Sequence, residues 1–314
     1  MRTPPKGRTV IPDRKQYYTW MIFRRTLCSG WRAVCCSLAM MTLMHSSAAL
    51  AEESYQITRQ DAALLLFGAA AVGVGTFLLD SRMQNVPPEG LDPDDIALEW
   101  DRNAINIPHP SAKDASGAFL LAAGASPTAI FATAGGDGRT WDAAGRLWTV
   151  QVEAALVSTG ISFLLKRAAS RPRPYTYLPA AGRPSGYDVT DEDAFASFPS
   201  NHATVSWAAG MSGAAYLAWS RPDLSGSVHF VSGALAGGFA TAAGISRVQA
   251  GMHFPTDVVA GSVLGLATGI GIAALNRPDA VGNEGAALRN CLLGAAAGTV
   301  IAILFTPPAS PWVD

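Results

Sequence analysis

Charge is scarce in this chain. Asp, Glu, Lys and Arg make up 15% of its 314 residues, against 49% apolar, and they cancel to a net charge of −1. A nucleic-acid-binding protein shows a basic excess or a basic stripe, so no nucleic-acid partner is expected. Cysteine is scarcer still. Cys28, Cys35 and Cys36 fall in the leading segment and Cys291 stands alone. That leaves no disulfide framework and no thiolate zinc site. Alternating apolar and polar runs, which mark half-buried strands, are missing at any useful length. What remains is helix. Sparse charge with long apolar runs points to a membrane or to a tightly packed all-helical protein.

The first residues have the pattern of a targeting segment. Arg and Lys are frequent up to Arg32, an apolar run covers 33–44, and Ala49-Leu50-Ala51 precedes Glu52-Glu53. A positive region, a short apolar core and an A-x-A site form the secretory signature. Residues 1–51 are therefore expected to be a signal peptide or targeting segment, and 52–314 the functional domain. An uncleaved anchor helix is the alternative, although the apolar run is short for a span.

Six apolar stretches follow, at 62–79, 118–134, 147–165, 203–219, 228–245 and 258–275, with a shorter one at 291–305. Each is near the lower length limit for crossing a bilayer. They are rich in Gly and Ala, which lets helices approach closely. The fold class expected is all-α, a single helical bundle of about six core helices, membrane-embedded or membrane-associated. Glu153 and Gln151 in the third stretch would be costly facing lipid, so Glu153 must face a helix interior or its helix must lie outside lipid. Two long loops, 81–115 and 175–197, are the length of functional lids. The turns near 220–227 and 276–290 should lie on the face away from the site.

The chemistry sits in three short segments: Lys166 with Arg173-Pro174, Pro199-Ser200-Asn201-His202, and Ser246-Arg247 with His253 and Asp257. Three fixed cations, two histidines and a carboxylate suit phosphate transfer without a metal. Lys166, Arg173 and Arg247 can neutralise a phosphate dianion, Arg as a planar fork and Lys as a point charge. Ser200 or Asn201 suits a helix N-cap, and a helix N-terminus offers free N–H groups to an anion. His202 in the first turn is placed to act as a general acid. His253 and Asp257 are four apart, a spacing at which the carboxylate can fix the tautomer and free the other nitrogen for attack. Arg167 and Arg171 read as solvated cations. His45, His109 and His229 read as non-catalytic, and Arg183-Pro184-Ser185-Gly186 reads as a turn.

At these residues the chain resembles the type 2 phosphatidic acid phosphatase and vanadium haloperoxidase superfamily. That family's pattern is K-x6-R-P, then P-S-G-H, then S-R-x5-H-x3-D. Lys166 to Pro174 matches the first and Ser246 to Asp257 the third, while Asn201 stands where the second has Gly. The motif core covers 147–275. The resemblance implies that Lys166, Arg173, Ser200, Asn201 (through its backbone N–H) and Arg247 bind phosphate. It implies His253 as the nucleophile of a phosphohistidine intermediate, His202 as general acid and Asp257 as the group that orients His253. It implies no metal and no cofactor. Asn tolerates left-handed backbone better than most residues, so it can stand in for Gly at 201.

The expected function is a metal-independent phosphatase acting on a lipid phosphate or diphosphate, such as a phospholipid or polyprenyl phosphate. Its partner would be the membrane, with no obligate protein partner. The expected location is the cell envelope, with the site facing the periplasm or extracytoplasmic side. The alternatives are a soluble exported acid phosphatase, a vanadium-dependent haloperoxidase and an inactive lipid-binding relative.

Overall fold

Among the described residues, seven long helices, all in one bundle, reverse direction at each step. The computed structural model describes residues 56–78, 85–105, 108–134, 140–278 and 282–306. All fall in one compact unit, Tyr55–Asp314. The expected targeting segment, 1–51, lies outside the described residues. The helices are α1 (Arg59–Gly73), continued by a π-helical turn Val74–Leu78, the short α2 (Glu99–Arg102), α3 (Pro110–Ala134), α4 (Thr140–Ala169), α5 (Asn201–Ser220), α6 (Gly226–Gln249), α7 (Pro255–Leu275) and α8 (Glu284–Phe305). No strand occurs among the described residues. The fold is the all-α bundle that the apolar runs predict.

Local signals set the helix ends. Thr58 caps α1 in a capping box: its hydroxyl accepts from the Asp61 N–H, and Asp61 accepts from the Thr58 N–H at 2.7 Å. Pro255 opens α7 where its missing N–H costs nothing. Gly251, at φ 62°, ends α6 in a left-handed turn, with the Met252 N–H returning to the Arg247 carbonyl at 3.1 Å. Pro127 lies inside α3 and removes the N–H that the Ala123 carbonyl would accept. The Ser126 hydroxyl donates to that carbonyl instead, at 3.2 Å.

Among the described residues, six segments are long and apolar enough to cross a membrane: Arg59–Phe77, Pro110–Ala134, Ala143–Tyr177, Gly226–Gln249, Pro255–Leu275 and Glu284–Phe305. They support membrane association. This set differs from the six stretches read from the sequence at two places. The run at 203–219 became α5, which is walled in by α3, α4, α6, α7 and α8. Its hydroxyls bond back into its own helix, Ser206 to the His202 carbonyl and Ser212 to the Ala209 carbonyl. The short run at 291–305 became the full helix α8, whose first turns carry Glu284 and Arg289 and so read as polar. Large apolar side chains remain uncovered on the outer helices, among them Leu66, Leu121, Val263 and Leu304, the surface that lipid would cover.

Small residues bring the helices together. On α7, Gly261, Gly265 and Gly269 recur every fourth residue, and a Cβ at each would lie 2.6, 2.1 and 2.6 Å from the carbonyls of Ser200, Thr204 and Ala208 on α5. Backbone therefore touches backbone along this seam. A second seam joins α6 to α8, where a Cβ on Gly233 or Gly294 would fall 1.9 Å from a carbonyl of the other helix.

Glu153 faces the helix interior. It is fully buried and accepts from Asn276 at 2.8 Å. Arg146 bridges Asp61 and the Asn276 side-chain oxygen, so one polar cluster ties α1, α4 and the end of α7. It lies at the opposite end of the bundle from Lys166 and Asp257. The turns that join α5 to α6 and α7 to α8 share that far end. The loops joining α1 to α3 and α4 to α5 lie at the other end, as anticipated.

Candidate active site

Four helix ends meet at one end of the bundle: the C-termini of α4 and α6 and the N-termini of α5 and α7. Lys166 is in the last turn of α4 and donates to the Ala196 carbonyl. The chain then leaves through Ser170, whose φ of 44° is a left-handed helix stop. The loop that follows folds back on itself. Its two arms are joined by the Arg173 N–H to the Ala194 carbonyl at 2.8 Å and by the Ser197 N–H to the Arg171 carbonyl at 2.9 Å. This pairing returns Ser197 to the helix ends and holds Arg173 inward. An apolar cap over the loop, built from Tyr175, Leu178, Phe195, Ala250 and Met252, covers the turn that carries His253.

The structure brings the sequence-derived residues together. Lys166, Arg173, Arg247, Ser200, His253 and Asp257 are all buried, while Asn201 and His202 are half-buried. His253 feels the charges of Lys166, Arg173, Arg247 and the neighbouring His202. His202 in turn feels Arg247, Arg173 and Lys166. The two imidazoles and three cations therefore occupy one electrostatic neighbourhood. Several polar atoms there have no protein partner: Ser200 Oγ, Asn201 Oδ1 and Arg247 Nε. A buried polar atom left unpaired costs free energy, so these atoms suit a polar ligand. Ser200 caps α5 by backbone conformation without using its hydroxyl as a cap. Its N–H donates to the Asp257 carbonyl at 2.9 Å, which pins α5 to α7.

The contact between His253 and Asp257 differs from the expectation. Asp257 Oδ2 lies 3.7 Å from His253 Nδ1, beyond hydrogen-bond length. Nδ1 bonds the Ser197 carbonyl instead, at 2.7 Å. A carbonyl can only accept, so Nδ1 carries the proton and Nε2 keeps a free lone pair. Asp257 acts one residue away: it accepts from Ser197 Oγ at 2.5 Å and from the Phe254 N–H at 2.9 Å. The i, i+4 spacing put the carboxylate near the ring, but Pro255 starts the helix after His253, so the two do not share a helical face.

Two electrostatic consequences follow. Burial, together with the cations Lys166, Arg173 and Arg247, pushes the His253 imidazole well below its ordinary value, so the ring is neutral. Partial desolvation would raise the Asp193 carboxyl, but Arg173 and Lys166 outweigh it and hold the group well below the usual carboxylate range. Asp193 holds Arg173 through Oδ1 and through its carbonyl, both at 2.6 Å, while its own side chain stays 58% exposed.

Sequence reasoning passed over five residues. Arg171 is not solvated: it bonds Asp257, Asp101 and Thr256. Arg167 is engaged too, with the Gly75 carbonyl and Glu192. Ser197 and Asp193 sit in the loop before the second motif and carried no pattern of their own. Asp101 is remote in sequence and carried no signal. His109 is exposed, as read, and His229 is buried at the far end of the bundle.

Residues 148–278 match the model of the PAP2 superfamily. Over that segment the chain is similar to the PAP2 superfamily. Lys166, Arg173, Ser200, Asn201, His202, Arg247, His253 and Asp257 all lie inside the matched segment, and Asp101 lies before it. The match supports a phosphoric monoester hydrolase in general terms. Comparison with curated proteins and with solved structures found no significant match.

Proposed function

We propose that this chain is a metal-independent phosphatase that hydrolyses a lipid phosphate or diphosphate through a phosphohistidine on His253. The observation that carries this reading is the His253 tautomer. With Nδ1–H held by the Ser197 carbonyl, the only lone pair offered to an electrophile is on Nε2, inside a ring of cations.

The steps follow from that geometry. Lys166, Arg173 and Arg247 neutralise the phosphate, joined by Ser200 Oγ and the Asn201 N–H at the positive end of α5. Nε2 of His253 forms a bond to phosphorus as the ester P–O bond breaks. His202 gives its proton to the departing oxygen. Water then attacks phosphorus, His202 takes the water proton, the P–N bond breaks and inorganic phosphate leaves. Asp257 keeps Ser197, and through it His253, in register, and stabilises the charge that develops on the ring.

A lipid substrate is favoured over a soluble one by the position of the site. It opens among the ends of helices whose outer faces expose large apolar side chains. A phospholipid or polyprenyl phosphate could bring its head group to these cations while its chains stay in the bilayer. The reading extends to a site on the extracytoplasmic side of an envelope membrane; since α1 runs from the far end of the bundle towards the site, that side requires α1 to begin on the cytoplasmic face.

The test is phosphate release from a panel of lipid phosphates and soluble esters in EDTA, using purified protein in detergent. Lipid phosphates should be turned over faster, and His253→Ala should abolish the reaction. Full activity in that variant would remove the nucleophile from the scheme.

A further inference from the structure

We propose that Asp101 and Arg171 are positioning residues for the His253 site, acting through Asp257 and Ser197; this rests on the functional reading above. Asp101 belongs to α2, before the matched family segment, and is fully buried. Its Oδ2 accepts from Arg171 Nη2 at 2.8 Å and from Thr256 Oγ1 at 2.5 Å, and its Oδ1 accepts from the Thr256 N–H at 3.1 Å. Arg171 Nη1 donates to Asp257 Oδ1 at 2.6 Å and to Thr256 Oγ1 at 2.8 Å. The guanidinium also lies 4.2 Å from the centre of the Phe254 ring, which fixes its plane.

The chain of contacts runs without a gap to the nucleophile. Asp101 holds Arg171, Arg171 holds one oxygen of Asp257, and the other oxygen holds Ser197 Oγ. The Ser197 carbonyl holds His253 Nδ1. The guanidinium is spent on two buried carboxylates, so it is not a phosphate ligand. Arg247, whose Nε has no protein partner, is the contrasting case. Arg171 thus completes the support that the sequence spacing assigned to Asp257 alone, and α2 is recruited to the site from outside the family segment.

Charge makes the proposal separable from a merely structural role. His253 faces Lys166 from α4, Arg173 and Asp193 from the following loop, His202 from α5, Arg247 from α6 and Asp257 from α7. Removing a nearby cation raises the pH at which a histidine protonates, and removing a nearby anion lowers it. Arg171→Gln should therefore move the acid limb of kcat/KM to higher pH, and Asp101→Asn should move it to lower pH.

The experiment uses full-length protein in mixed micelles with phosphatidate as probe. Arg171→Gln and Asp101→Asn are expected to lower kcat about tenfold or more while KM stays within about twofold. Arg171→Lys, which keeps the charge but not the fork, should restore the acid limb and part of kcat. Wild-type kcat in both variants would overturn the proposal. So would a raised KM with kcat unchanged, which would make Arg171 a phosphate ligand, or limbs that shift the same way. If Asp101→Asn fails to accumulate, the Gln and Lys variants of Arg171 decide by whether the limb shifts in the first and returns in the second. Absence of phosphate release by the wild type, or full activity of His253→Ala, would instead count against the functional reading itself.

Discussion

Gly265→Ala should separate α5 from α7 and impair the site from a distance. A Cβ at 265 would lie 2.1 Å from the Thr204 carbonyl oxygen and 2.9 Å from Trp207 Cβ. An ordinary carbon–oxygen contact is about 3.3 Å or more, so the helices must part by roughly 1.2 Å. Both obstructing atoms belong to or adjoin backbone and cannot swing away. Overpacking of this kind costs about 1–3 kcal/mol. Alanine also gains about 0.5–1 kcal/mol over glycine in a helix interior. Gly271→Ala on the same helix supplies the control, because a Cβ there meets nothing within 4 Å. Both variants gain the same helix term, so their difference isolates the clash.

The consequence reaches the chemistry because the α5 N-terminus carries Ser200, Asn201 and His202, while α7 begins beside His253 and carries Asp257. A displacement near 1 Å between reacting groups costs on the order of 100-fold in rate. Denaturant titration in detergent should place Gly265→Ala about 1–3 kcal/mol below Gly271→Ala, and its rate of phosphate release should fall steeply. Equal stability and equal rate in the two variants would show that the seam does not set the site.

Further outcomes follow from the charged groups. Arg146→Ala leaves Asp61 buried without its cation, and should cost about 3–5 kcal/mol, read as a lowered denaturant midpoint. Asp193→Asn removes a carboxylate that competes with phosphate for Arg173, so vanadate inhibition should tighten; weaker inhibition would mean that the carboxylate serves to aim the guanidinium. Acid should destabilise the fold in two stages. The His253 imidazole is neutral in the fold but takes a proton in the unfolded chain near pH 6.5, so stability falls as pH drops below that value, and His253→Asn should flatten this stage of the titration. Asp193 is held ionised in the fold, so its contribution is present above about pH 4 and is lost as pH falls towards its lower folded value.

Much of this molecule was legible in the chain itself. Apolar runs without alternation set an all-helical bundle, because each such run must bury or embed a whole cylinder rather than one face of a sheet. The cations, imidazoles and carboxylate of the three motifs could be named, because phosphate chemistry demands those side-chain types. The alternating direction of successive runs placed the turns near 220–227 and 276–290 at the end away from the site. Tertiary structure alone decided which bonds those groups make. Hydrogen bonding to His253 passes through the Ser197 carbonyl, since Pro255 starts a helix between the ring and Asp257. Arg171 is held by Asp101, seventy residues earlier in the chain. Spacing along a sequence reports only neighbours on one element, and contacts closed between distant segments leave no period to read.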